Sequence, residues 1–362
     1  MKAKFILNQA EFSADLLKKT YSTEENVLVS PLSVMLALCM VATGAKYKTR
    51  NEMKKVLSHG KSLSGHWNDL SEYVRSLPSS DGCKFHFADS LWFPETTEVL
   101  EKFRTSCKNL FDAEAVTLPF DAEAVKKINS WVSEHTFEMI DSVIDSVSPE
   151  ALMYVINALA FDAEWERIYR ESEVDDVEFK NVDNSSSTVK GMYSEEAGYI
   201  ETEDCIGFLK PYKGQNYSFA ALLPKDGDLT GFVNKMDGIR LFTTLALAQN
   251  EECDAMLPKF KVEYSKMLNS VLRALGIETA FGSEADFSGI TKQPMSIGEV
   301  IHKTYMEVDE RGTKAGAVTA IMMKMMSMPM PKPQVYLDRP FVYAIVDNRT
   351  KLPIFLGTVV KM

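Results

Sequence analysis

The run from Leu32 to Thr43 is apolar on nearly every side, and a helix without a polar face must be enclosed within a large domain. Ser30-Pro31 ahead of it pairs an N-cap hydroxyl with proline at the first helical position, where a missing N–H costs nothing. Gly44 ends the run. With 362 residues, 45% of them hydrophobic and 25% charged, the chain has enough material to surround such a helix. No stretch of about 18 or more apolar residues offers a bilayer span. The opening Met1-Lys2-Ala3-Lys4-Phe5-Ile6-Leu7 is basic, but its apolar part stops at Asn8 and Gln9, too soon for a secretory leader. The expectation is an extracellular protein whose leader lies outside this sequence, with a cytoplasmic location as the alternative.

Further along, Thr49-Arg50-Asn51-Glu52 has capping-box spacing and predicts a helix start, and Ile128 to Val132 predicts the opening of another amphipathic helix. The character changes at Met153. Tyr154 to Phe161 is a continuous apolar run suited to a central strand covered on both faces. Ser218 to Leu223 has the same character and ends at Pro224. Phe341 to Val346 and Ile354 to Val360 flank a polar Asp347-Asn348-Arg349-Thr350 turn and predict a hairpin. Helices early and strands late point to an α+β fold, and the absence of repeats or Pro/Gly/Ser-rich linkers to one domain over residues 1–362.

The net charge of −11 argues against nucleic acid and acidic membranes as partners, and no dense Lys/Arg stripe suggests heparin. Cys39, Cys83, Cys107, Cys205 and Cys253 are odd in number and widely spaced, so buried free thiols are expected in place of a zinc or disulfide framework. GxSxG, P-loop, HExxH and GxGxxG patterns are all missing, and the five histidines show no metal spacing. No enzymatic activity, cofactor or metal is expected.

One segment resists the pattern. Glu307 to Pro340 covers 34 residues without a convincing bounded element, far longer than a loop inside a compact domain normally runs. Its first half is small and flexible, and Met322 to Met330 holds six methionines in nine residues. At period two, positions 313, 315, 317, 319, 321 and 323 are Thr, Ala, Ala, Thr, Ile and Met, whereas both Lys314 and Lys324 fall on the alternate positions. As an extended strand the segment would turn an uncharged face inward and the lysines outward. Soft thioethers would also suit Cu(I), although flexible, adaptable side chains in an exposed segment account for the same methionines.

Nine motifs in order carry a resemblance to the serpins over essentially the whole chain. Asn26-Val27-Leu28-Val29-Ser30-Pro31-Leu32-Ser33 resembles that family's strand-to-helix signature, and Asn157-Ala158-Leu159 with Phe161 and Trp165 its central-sheet motif. Pro211-Tyr212-Lys213-Gly214, Leu257-Pro258-Lys259-Phe260, Leu275-Gly276-Ile277 and Ala285 to Ile290 follow, then His302-Lys303, Glu307 to Thr313 and Arg339-Pro340-Phe341.

The resemblance implies a serpin fold, helix-rich in its N-terminal part, with large mixed β-sheets and an exposed reactive-centre loop at about 311–335. It implies an inhibitor that is a suicide substrate: a target serine protease cleaves the loop, the N-terminal half inserts into the main sheet, and the acyl-enzyme is trapped. Counted as in the family, the scissile bond is Met326–Ser327, the hinge is Gly312, Thr313, Ala315, Ala317 and Thr319, and the likeness extends to monomeric action. Lys314, Gly316 and Val318 depart from the usual acidic, small and alanine residues, all on the alternate face. Ser30, Ser33, Asn157 and His302 match the polar cluster beneath the central sheet; a satisfied polar core without a switching role is the plainer alternative. Trp165 matches the residue where the loop enters, or is a plain core tryptophan. An apolar, unbranched Met326 implies elastase-like, chymotrypsin-like or subtilisin-like targets. A non-inhibitory serpin, serving as carrier, chaperone or storage protein, is the alternative.

Overall fold

The computed structural model describes residues 3–60, 62–79, 82–148, 150–248, 251–313 and 332–362. The apolar run becomes the helix Pro31–Ala42, every residue of which is buried. Ser30 is its N-cap, the hydroxyl accepting the Ser33 N–H at 3.2 Å. This helix lies between two sheets and contacts both, packing on the strands Tyr154–Glu164, Cys83–Pro94 and Pro353–Val359.

Three sheets are formed among the described residues. The main sheet has the order Phe260–Met267, Glu299–Val308, Gly312–Thr313, Tyr154–Glu164, Cys83–Pro94, Glu114–Leu118. A second places Val27–Val29, Pro353–Val359, Phe341–Asp347, Tyr217–Pro224, Cys205–Pro211 and Gly198–Glu201 side by side, so the C-terminal hairpin is central to it. The third runs Gln334–Tyr336, Cys253–Pro258, Ser186–Glu196, Val174–Lys180. The α+β class stands, and the expected central strand is central.

Alternation along Tyr154–Glu164 divides the interior in two. Val155, Leu159, Phe161 and Ala163 join the large core shared with Pro31–Ala42 and the second sheet. Tyr154, Ile156, Ala158 and Ala160 face a smaller cluster made with Ile128 and Val132 of the helix Ala122–His135 and with Met139, Ile140, Val143 and Ile144 after it. All five cysteines are free and buried.

Three readings of local sequence are corrected. The helix expected from Thr49 begins at Tyr47 after the N-cap Lys46, and the capping-box pair is used elsewhere. The Thr49 hydroxyl accepts the Asp286 N–H at 2.9 Å, and the Glu52 carboxylate accepts the backbone N–H groups of Glu278 and Thr279 at 3.0 and 2.7 Å. The helix containing Ile128 starts at Ala122, because Asp121 caps it by accepting from the N–H groups of Glu123 and Ala124. The stretch from Glu307 is not wholly without elements: the end of Glu299–Val308, the pair Gly312–Thr313 and the strand Gln334–Tyr336 lie in it.

Candidate functional site

The two middle strands of the main sheet are joined at one end and parted at the other. Tyr154 to Ala160 pair in parallel with Glu299 to Tyr305. Beyond that point Gly312–Thr313 lies between them, Thr313 opposite both Ala163 and Val308, and Gly312 opposite Glu164. Gly312 is required here, since a Cβ would stand 1.9 Å from the Ala163 carbonyl oxygen. Thr313 is fully buried, its hydroxyl 2.7 Å from that of Tyr212.

A tight turn delivers these two residues. The Asp309 carboxylate accepts the N–H groups of Arg311 and Gly312 at 2.8 and 3.1 Å, and the Asp309 N–H donates to the Gly312 carbonyl at 3.0 Å. Trp165 and Tyr169 hold the turn from beneath. Trp165 donates its indole N–H to the Asp309 carbonyl at 2.9 Å and its backbone N–H to that of Arg311 at 2.8 Å. Tyr169 donates its backbone N–H to the Glu310 carbonyl at 2.9 Å, and the Glu310 carboxylate accepts from Lys259. Trp165 stacks on Tyr212, ring centroids 4.5 Å apart. The tryptophan is therefore a core residue and a hydrogen-bond donor to the turn at once.

Deeper in the sheet, Asn157 and His302 stand opposite each other in the parallel junction, with Ser30 and Ser33 beneath them. The Ser30 N–H donates to His302 Nε2 at 3.0 Å, which fixes the tautomer: the proton is on Nδ1 and is given to Asn157 Oδ1 at 2.5 Å. The Asn157 amide donates its two protons to Ser33 Oγ and Asp89 Oδ1, and Ser30 Oγ donates to the Ile354 carbonyl at 2.8 Å. The network ties the main sheet to the buried helix and to the second sheet. Burial pushes the His302 imidazole down to about 3, so it is neutral. Burial pushes the Asp89 carboxyl up to about 7, against the opposing effect of the Asn157 amide.

Four of the singled-out residues thus meet in one cluster, and Trp165 stands with Gly312 and Thr313 at the mouth. Ala315, Ala317, Thr319, Met326 and Ser327, with the methionine run, lie outside the described residues. Sequence reasoning missed Asp89, Tyr169, Tyr212 as a partner of Thr313, and the buried pair Lys210–Glu196. An isolated Asp in Ala88-Asp89-Ser90 was a detectable signal, because a charge in an apolar strand needs a partner. The others become visible only once strands far apart in sequence are assembled.

A sheet parted at one end, with two residues of its connecting segment already seated in the opening, is the architecture of the serpins. The chain belongs to that family: the family model described as serpin (serine protease inhibitor) matches residues 7–362. It is similar to tengpin, a thermophilic serpin, sharing 40% identity with the native-state structure at a TM-score of 0.96 over 100% of this chain and 95% of that one. To tengpin in its latent state the TM-score is 0.88 at 38% identity, over 100% and 99% of the two chains. Serpin B6 of Pongo abelii is 32% identical, with 96% of each chain covered. The leukocyte elastase inhibitor of Sus scrofa is 29% identical, again over 96% of each.

Proposed function

We propose that this chain inhibits serine endopeptidases as a suicide substrate, its reactive loop at about 311–335 being cut between Met326 and Ser327. In that step the protease serine oxygen adds to the Met326 carbonyl carbon and the Met326–Ser327 amide bond breaks. A proton passes to the new Ser327 amine, and the protease remains esterified to Met326. Insertion of the freed strand would then carry the acyl-enzyme along the sheet, with the inhibitor acting as a monomer.

The observation that carries this reading is the register of Thr313. In the closed part of the sheet, partners such as Asn157 and His302 are 145 residues apart; at the mouth the two partners of Thr313, Ala163 and Val308, show the same offset. A strand continuing from Thr313 therefore needs no slip on either side. It would set Ala315 opposite Phe161 and Met306, Ala317 opposite Leu159 and Thr304, and Thr319 between Asn157 and His302. A threonine hydroxyl can accept the His302 Nδ1 proton and donate to Asn157 Oδ1, replacing the bond that insertion breaks. The inserted inner face would contain no charge, so no unpaired ion is buried.

The alternate face is not a solvent face throughout. Lys314 would stand beside half-buried Asp162, but Gly316 and Val318 would pass Ala160 and Ala158, which are covered by the segment after Ala122–His135. The small and apolar residues there suit a covered position, and that covering segment has to yield as the strand enters.

Elastase-like, chymotrypsin-like and subtilisin-like proteases are the proposed targets, because Met326 fits an apolar primary pocket whereas a buried aspartate selects a cation. Similarity to leukocyte elastase inhibitors supports the choice. Incubation with one protease of each kind, followed by denaturing gels and mass mapping, tests it. The expected product is a complex resistant to detergent, with the Met326 carbonyl esterified. Clean loop cleavage without complex in every case would favour a non-inhibitory serpin.

A further inference from the structure

Lys210 and Glu196 form an ion pair of 2.7 Å with side chains only 2% and 6% exposed, the most enclosed pair among the described residues. Such a pair is rarely more stabilising than apolar side chains of the same volume, so its presence calls for a role other than bulk stability. The two residues sit in different sheets, Lys210 in Cys205–Pro211 and Glu196 at the end of Ser186–Glu196. The ammonium lies 4.2 Å from the ring centroid of Tyr169 and 5.4 Å from that of Trp165. The Glu196 carboxylate also accepts the Ser194 hydroxyl at 2.7 Å.

Each partner reaches one stem of the segment 314–331. On the Lys210 side, Trp165 and Tyr169 hold the three successive carbonyls of Asp309, Glu310 and Arg311, and Tyr212, just past the end of the Lys210 strand, meets Thr313. On the Glu196 side, that residue is in register with Cys253, and the next residue, Asp254, pairs with Gln334 and donates its N–H to the Pro333 carbonyl at 2.9 Å.

We propose that Lys210 and Glu196 are positioning residues that tie the two stems of this segment together and set how fast the turn at Asp309–Arg311 is released from Trp165 and Tyr169. The proposal rests on the inhibitory reading above, because release matters only if the strand inserts. The cation holds the two rings and the carboxylate holds the cation, so removing either frees the same turn.

The test is the first-order rate at which uncleaved protein converts on warming to a more heat-stable form, read on urea-gradient gels, for Lys210→Met, Glu196→Gln and the double variant. Each single substitution should speed conversion by about tenfold, and the double by no more than the larger single, as expected of residues acting as one unit. Lys210→Arg, which keeps the cation, should stay within about threefold of the wild type. The loop-cleaved forms of the single variants should lose less melting temperature than the uncleaved forms, because there the turn has already opened and only the cost of the broken pair remains. Unchanged conversion rates, multiplicative effects in the double variant, or equal losses of melting temperature in uncleaved and cleaved forms would each overturn the proposal. If the single variants do not fold, a Lys210→Arg protein converting about tenfold faster than wild type would also overturn it. If cleaved wild-type protein gains no heat stability, it is the inhibitory reading that fails.

Discussion

His302 donates its Nδ1 proton to Asn157 Oδ1 across the parallel junction of the main sheet, at 2.5 Å and wholly out of solvent. This contact closes the sheet just where the extrapolated register sets Thr319. Asn157→Ala would leave the His302 N–H, Ser33 and Asp89 each short of a partner. Buried polar groups without partners cost about 1–3 kcal/mol each, so the uncleaved protein should lose about 3–9 kcal/mol. The loop-cleaved protein should lose about two-thirds as much, since an inserted Thr319 would still satisfy His302. Urea unfolding of the two forms measures the difference, and equal losses would argue against insertion to this depth.

The same cluster predicts a pH signature. Asp89 has its folded value raised to about 7 by burial, so its contribution is fully present below the unfolded carboxylate value and is lost as pH rises through about 7. His302 has its folded value lowered to about 3 by burial, so its contribution is present above about 6.5 and is lost as pH falls toward 3. Between about pH 4 and 6.5 the two slopes oppose each other, each at most about 1.4 kcal/mol per pH unit. Asp89→Asn should therefore steepen the loss of stability on acidification through this window, and His302→Gln should reverse its direction. Denaturant midpoints from pH 4 to 8 check both signs.

Much of this was legible beforehand, for identifiable reasons. The enclosed helix Pro31–Ala42 and the central strand Tyr154–Glu164 announce themselves because burial on all sides removes polar residues altogether. The hairpin at the C-terminus is bracketed by its polar turn. Thr49 and Glu52 misled because the side-chain types that cap a helix serve equally well as tertiary acceptors, and local spacing does not distinguish the two uses. Thr313 was readable as an inward residue from the period-two pattern, but its placement between Ala163 and Val308 depends on two strands that pair only after folding. Lys210 gave no signal: in Phe208-Leu209-Lys210-Pro211 it has the ordinary appearance of an exposed strand residue, and only its distant partner Glu196 reveals it as buried.

Phe137 and Glu138 follow the helix Ala122–His135 with φ of +52° and +59°, consecutive left-handed residues with side chains that disfavour that region. The Phe137 ring contacts His86 at 4.3 Å, and the turn leads into the residues covering Ala158 and Ala160. Glu138→Gly should relieve the local strain and stabilise the uncleaved protein by about 1 kcal/mol. If that strain eases the covering segment aside during insertion, the variant should also give less complex and more cleaved inhibitor. Denaturant unfolding and gel quantification read the two effects separately.

Oxidation offers a test of the proposed bond. A sulfoxide at Met326 would present a polar, chiral group to an apolar primary pocket. Mild peroxide should slow association with an elastase-like protease by about tenfold, and Met326→Leu should keep its rate under the same treatment, showing that the neighbouring methionines are not responsible. Stopped-flow or progress-curve inhibition kinetics, with oxidation confirmed by mass, measures this; an unchanged rate would remove Met326 from the contact.

The sharpest test of insertion lies at Thr313, which is buried in the mouth of the sheet with its hydroxyl on Tyr212. Thr313→Arg asks that position to hold a cation with no acid among the residues facing it: Tyr212 lies before it, and Ala163 and Val308 lie on either side. A buried unpaired charge costs several kcal/mol, far more than two residues of strand pairing return, so the arginine should leave the sheet and draw Gly312 out with it. The rest of the fold does not depend on this two-residue strand, and the loop bond should still be cut. In the proposed mechanism, however, insertion competes in time with hydrolysis of the acyl-enzyme. Delaying its first step should let the protease deacylate and depart, converting an inhibitor into a substrate. Lys314→Arg keeps charge at the next position, beside half-buried Asp162 in the extrapolated register, and should leave the outcome within about twofold of wild type. The quantity to measure is the ratio of covalent complex to cleaved inhibitor on denaturing gels at equal protease. A Thr313→Arg protein that still yields mostly complex would refute loop insertion as the inhibitory step.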